Sequence, residues 1–156
     1  MKARTILASL VAFVAGLAIA YAADSPHMGT WKLNEAKSKY NAGAVKNHTV
    51  VYAAQGDMIK VTVDGKDKDG KAVHNEWVGK FDGKDYPVVG DNTQGDARSY
   101  TVVDDHTLKM TVKSKGAVLG SGTVKVSADG KSRTVETTSA DPKSAGLNAT
   151  AVYDKQ

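Results

Sequence analysis

The chain has 156 residues, 21 basic against 17 acidic side chains, a formal net charge of +4 and no cysteine. That length supports one domain built around one core. The lack of cysteine excludes disulfides, thiol catalysis, lipoprotein acylation and cysteine-based zinc sites, and lysines dispersed among acids leave no clustered basic stripe for nucleic acid.

The first segment, MKARTILASLVAFVAGLAIAYAADSP, has a basic start at Lys2 and Arg4. An apolar run follows from Ile6 to Ala20, broken only by Ser9 and Gly16, and ends in Ala20-Tyr21-Ala22. This is the three-part layout of a secretory signal, with cleavage expected after Ala22. Uncut, the same run would serve as an anchor, for which roughly 20 apolar residues are needed; the small residues of the Ala-Tyr-Ala ending favour cleavage. No later segment is apolar enough to span a membrane. Removing residues 1–22 takes away two basic side chains and no acid, so the net charge falls from +4 to +2. The remaining domain, 23–156, is expected in the periplasm or the medium of a bacterium.

From Gly29 onward the apolar period is two, as in Ile59-Val61-Val63, Leu108-Met110-Val112 and Val124-Val126. Alternation at this step puts one set of side chains inward and the other outward. Strands are expected over 29–34, 47–54, 58–65, 71–81, 85–89, 97–103, 106–114, 117–127, 132–139 and 147–155. Residues 35–40 are expected to form one or two helical turns. Asp-Gly pairs at 64–65, 69–70, 82–83 and 129–130, with Gln55-Gly56-Asp57, tolerate the positive φ of tight hairpins and divide the strands. The similar stretches KVTVDGK (60–66) and KVSADGK (125–131) read as two strands running into the same kind of turn. Short connections demand antiparallel neighbours. A meander of eight to ten strands must close or leave two long edges. The expected fold is therefore all-β, an up-and-down antiparallel barrel, with a two-sheet sandwich as the alternative.

Gly-Thr-Trp-Lys-Leu at 29–33, entering the first strand, resembles the opening of the lipocalins and fatty-acid-binding proteins, the calycin group. The ending TAVYDKQ (150–156) resembles the closing strand of fatty-acid-binding proteins. The resemblance implies a lipocalin-like barrel whose Trp31 plugs one end. The phrases GTWKLN, KFDGKDYPV, SADGK and AVYDKQ together resemble a group of small exported bacterial proteins of unassigned function, over most of residues 23–156. Two departures from the fatty-acid-binding pattern stand out. The arginine that grips a ligand carboxylate two residues before the final tyrosine is replaced here by Ala151, ahead of Tyr153. The twelve residues 35–46 are also too few for the helical pair that closes the mouth in that family.

After the signal, arginine occurs only at Arg98 and Arg133. Arg98 shares strand parity with Tyr100 and Val102, and Arg133 shares it with Val135, so inward valines would bring both guanidinium groups inward. A buried guanidinium needs a carboxylate, a carbonyl or an anionic ligand; the alternative to an anion anchor is that each arginine lies near a barrel rim or stacks on an aromatic, as an arginine does over the lipocalin tryptophan, and that alternative is favoured for Arg133. Tyr52, Trp77, Tyr100 and Tyr153, with Phe81, are candidates for an aromatic wall. The ligand-binding candidates are thus Tyr52, Trp77, Arg98, Tyr100, Arg133 and Tyr153. Such a wall serves either a ligand or a filled core, and a cavity of at least ~300 Å³ would favour a ligand.

Signals for catalysis are poor. His74-Asn75-Glu76 lacks the cysteines of a zinc deaminase, and Gly120-Ser121-Gly122 sits in an alternating strand, where glycine marks a bend or bulge. The four histidines lack ligand spacing and read as surface residues, and Asp64, Asp67 and Asp69 lack the closing glutamate of a calcium loop. An isomerase would need a titratable group inside the barrel, for which the sequence offers the arginines, Asp96 and Glu136. The expectation is a non-catalytic binding protein, without metal or cofactor, for a small apolar or amphipathic molecule. The rival is an interaction module with a filled core that works through surface loops such as 83–96.

Overall fold

The structure, a computed structural model, describes residues 25–91, 94–141 and 148–156; the export signal expected over 1–22 lies outside them. The described strands are β1 (Gly29–Leu33), β2 (Lys39–Tyr40), β3 (Lys46–Gln55), β4 (Met58–Lys66), β5 (Ala72–Gly79) and β6 (Tyr86–Gly90). They continue with β7 (Ala97–Asp104), β8 (Thr107–Ser114), β9 (Ala117–Val126), β10 (Ser132–Ser139) and β11 (Ala149–Lys155). From β3 onward each strand pairs antiparallel with the next, and β1 pairs with both β3 and β11. The register Trp31↔Lys155 and Leu33↔Tyr153 closes the ring. Ten strands thus form a closed up-and-down barrel, and the sandwich alternative is set aside. Among the described residues no helix is long and apolar enough to cross a membrane.

The stretch expected as one or two helical turns is a single 3-10 turn over Glu35–Lys37, with the Asn34 side chain accepting from Lys37 N at 3.2 Å. The turn interrupts the first strand. β2 then resumes along the same edge of β11, pairing Tyr40↔Ala149.

Period two holds because each strand has one buried face, shown by the alternation of buried Ile59, Val61, Val63 and Gly65 along β4. Gly56, Gly70, Gly83 and Gly130 take the positive φ expected of turn glycines. Asp64-Gly65 does not turn. β4 runs through it to Lys66, opposite an irregularity in β3 between Asn47 and Thr49. A Cβ on Gly65 would lie 2.5 Å from the Lys46 carbonyl oxygen, so glycine is needed there for close strand approach. KVTVDGK therefore stays inside a strand, whereas KVSADGK leaves β9 and turns through Ser127–Ser132. Close approach also explains Gly122, where a Cβ would run into the Glu136 carbonyl oxygen on β10.

Candidate functional site

The interior divides into two halves. Near the start of β1, the side chains of Trp31, Ile59, Trp77, Leu108 and Val126 are buried, and none lines the cavity of the other half. The other half holds a partly open cavity of about 100 Å³. Val50, Val61, Val63, Met110, Val112 and Val124 supply its aliphatic wall. Half-exposed Tyr40, Ala44, Val45, Gln94 and Thr137 stand at its outer end. The interrupted first strand places Tyr40 there, since β2 continues along β11 beyond the 3-10 turn.

Five of the six candidate ligand-binding residues border this cavity: Tyr52, Arg98, Tyr100, Arg133 and Tyr153. Trp77 does not. It faces inward, as its parity with Val73 requires, but its ring is enclosed by Phe81 (6.3 Å, stacked), Tyr86 (5.7 Å) and Tyr100 (5.0 Å). Its Nε1 donates to the Arg98 carbonyl at 2.8 Å. Trp77 thus braces the backbone of the strand that carries Arg98 and Tyr100.

Arg133 is 2% exposed. Its guanidinium carbon lies 5.0 Å from the Trp31 ring, 5.0 Å from the Tyr52 ring and 4.7 Å from the Tyr153 ring. Three π faces around one cation offset part of its desolvation. They leave the nitrogens at the edge of the group unserved: Nε and Nη1 are buried without a hydrogen-bond partner. Arg98, 7% exposed, likewise has a buried Nε with no partner. The parity argument holds for both, although Val102, opposite buried Leu108, ends up 36% exposed near the end of its strand.

Among the described residues neither arginine forms an ion pair. Among the described residues no aspartate or glutamate borders the cavity. Asp96 and Glu136, the acids the sequence offered, both lie outside it. Asp96 accepts from the Lys115 backbone N at 2.8 Å, and Glu136 is on the exposed face of β10. Tyr40, Tyr52 and Tyr153 do not supply negative charge either. Burial raises the Tyr52 hydroxyl first, with Tyr100 adding to it, and burial likewise raises Tyr153 and Tyr40. All stay protonated at neutral pH.

Sequence reasoning missed Tyr40, Asn47 and Gln94, which come to the cavity from loops and strand ends where parity carries no information. Asn47 donates from Nδ2 to Gln94 Oε1 at 3.4 Å, while its own Oδ1 is buried without a partner. It also misjudged His27, which is 1% exposed rather than a surface residue. The His27 carbonyl accepts from Trp31 Nε1 at 2.9 Å, and both ring nitrogens lack partners. Burial, with the nearby Arg133 charge, lowers its pKa from 6.5 to about 4, so it is neutral at pH 7. Trp31 and His27, from the segment that precedes β1, are thus buried together. Among the described residues no group of three or more His, Asp or Glu side chains is arranged to hold a metal ion.

No protein-family model matches the chain, and no curated protein matches it. Among solved structures, a redesigned β-barrel, mFAP1, determined with DFHBI bound, aligns at a TM-score of 0.44 and 16% identity, covering 83% of this chain and 95% of that one.

Proposed function

We propose that this chain is an exported, non-catalytic binding protein that holds one small amphipathic molecule inside its barrel. The observation that carries the reading is the chemistry of the cavity walls and not the volume, which at about 100 Å³ falls short of the ~300 Å³ that would by itself favour a ligand. Aliphatic and tyrosine side chains line the cavity together with Arg98, Arg133 and Asn47, each of which has a buried polar atom without a partner among the described residues. Apolar walls with a few convergent polar groups are what a small-molecule site requires.

Size narrows the ligand. About 100 Å³ is well below the ~300 Å³ at which drug-sized sites begin, and below the ~150 Å³ that admits benzene. A molecule of a few heavy atoms fills it, and a long fatty chain would have to extend past its half-exposed outer end. The missing clamp arginine at Ala151, itself a cavity residue, points the same way. The walls offer arginine, tyrosine, amide and threonine groups with no carboxylate or imidazole among the described residues. That suits holding a molecule rather than moving its protons. Export rests on the N-terminal 22 residues of the sequence.

A thermal-shift panel tests the reading. Acids, amides and alcohols of three to six heavy atoms are compared with hexadecanoate. A saturable rise in melting temperature is expected from at least one small compound and none from hexadecanoate. No response to any small compound would favour the filled-core module, for which the packed half of the barrel is the supporting observation.

A further inference from the structure

Residues 25–28 lead into β1 without joining the sheet. Two of their hydrogen bonds are internal: Met28 N donates to the Ser25 carbonyl at 3.0 Å, and His27 N to Ser25 Oγ at 3.4 Å. Two more tie the segment to the barrel, and both come from side chains. Trp31 Nε1 donates to the His27 carbonyl at 2.9 Å, and Lys155 Nζ to the Pro26 carbonyl at 3.3 Å. The rest of the hold is burial, above all of the His27 ring, with Met28 half-buried against the core. From β3 to β10, by contrast, every strand is laddered on both sides. A segment with so few ties opens before the sheet does.

The position that holds the His27 ring is hostile to a charge. Neither ring nitrogen has a partner. The charged groups that face it are Arg133 from β10, Lys155 from β11, Asp104 from the end of β7 and His106 from the turn that follows. Only Asp104 favours a proton on the ring, and its carboxylate already accepts from His106 N at 2.9 Å. Phe81 meets the ring edge-on, and the charges beside Phe81 are engaged elsewhere, Lys80 with Asp57 and Asp82 with the Tyr86 hydroxyl. Burial first, then the cations, lower the pKa of the docked ring from 6.5 to about 4. We infer that residues 25–28 form an acid-released cover: when the His27 ring takes up a proton, the segment lifts off the barrel end and bares Trp31 and Phe81 while the strands stay paired. The docked form keeps its full advantage above pH 6.5 and loses it as pH falls toward 4. Over that interval protonation favours release by up to about 300-fold. The device works at the end of the barrel away from the cavity and does not depend on a ligand.

The test is methionine-methyl nuclear magnetic resonance of the intact protein from pH 7 to pH 3.5. Met28 reports on the segment, and Met110, which lines the cavity, reports on the barrel. A second Met28 signal at the free-chain position is expected to grow below about pH 5, with Met110 unmoved. His27→Leu, or His27→Gln should leucine prevent folding, is expected to hold Met28 in place over the whole range. Trp31→Phe removes the bond to the His27 carbonyl and should carry release to higher pH by roughly half a unit. A Met28 signal that keeps its pH 7 position down to pH 3.5 overturns the inference. Met28 moving only together with Met110 overturns it as well, because the barrel and the segment then open as one. Release that persists in the His27 variants also overturns it, by placing the trigger on another group.

Discussion

His27 gives the sharpest stability prediction. Its ring is buried at the plugged end, edge-on to Phe81 at 6.4 Å, with no hydrogen-bond partner for either nitrogen. Arg133, His106 and Lys155 oppose a positive charge there, and only Asp104 favours one. In the folded protein the ring therefore protonates at about 4 rather than 6.5. Between those two values the unfolded chain binds a proton that the folded chain refuses. Stability then rises with pH across the window and falls as pH drops from about 6.5 toward 4. At about 1.4 kcal/mol per pH unit, the gap comes to about 3 kcal/mol, present in full above pH 6.5. His27→Leu removes the titrating group at similar volume. Urea unfolding followed by tryptophan fluorescence at pH 4, 5, 6 and 7 reads the difference. The stability of wild type relative to His27→Leu should drop by about 3 kcal/mol between pH 7 and pH 4. Curves that stay parallel to within about 0.5 kcal/mol would refute the argument, because the ring would then titrate alike in both states.

Other expectations follow from packing and charge. Trp31→Phe keeps an aromatic plug but loses the hydrogen bond to the His27 carbonyl, costing about 1 kcal/mol by denaturant unfolding; Trp31→Ala should cost roughly 3–5 kcal/mol. Gly79→Ala puts a methyl 2.5 Å from Trp77 Cζ2 and 2.6 Å from the Tyr86 ring, and overpacking of that kind costs roughly 1–3 kcal/mol, read as a lower melting temperature. Ala151→Arg adds a third guanidinium to a cavity that already holds two; several kcal/mol of destabilisation is expected, and an unchanged melting temperature would contradict the account of interior charge. Lys80→Ala breaks a 2.6 Å exposed pair with Asp57 and should change stability by less than about 1 kcal/mol.

Most of the barrel is legible along the chain because each strand has one wet and one dry face. Ile59-Val61-Val63 records that directly, and turn glycines such as Gly70 and Gly130 mark where strands reverse. The inward direction of Arg98 and Arg133 follows from the same parity. What escapes is set by partners distant in sequence. Asp64-Gly65 has turn chemistry, but the approach of Lys46 and Asn47 uses its glycine inside a strand. Trp77 has the parity of a cavity wall, yet three neighbouring rings enclose it. His27 sits on no strand and so has no parity to read; its burial is a consequence of the chain folding back under Trp31. Which half of the barrel is packed and which is hollow depends on how side chains from ten strands fill one volume, and no local pattern encodes that.

The claim that a small ligand occupies the interior is tested most directly by methyl-detected nuclear magnetic resonance. Protein labelled at its valine and alanine methyls is titrated with propionate and, separately, with propanamide. The account predicts saturable shifts at Val63, Val112 and Ala151, which border the cavity, with exposed Val89 and Val103 unmoved. Shifts confined to Val89 and Val103, or no saturable shift with either compound, would contradict it.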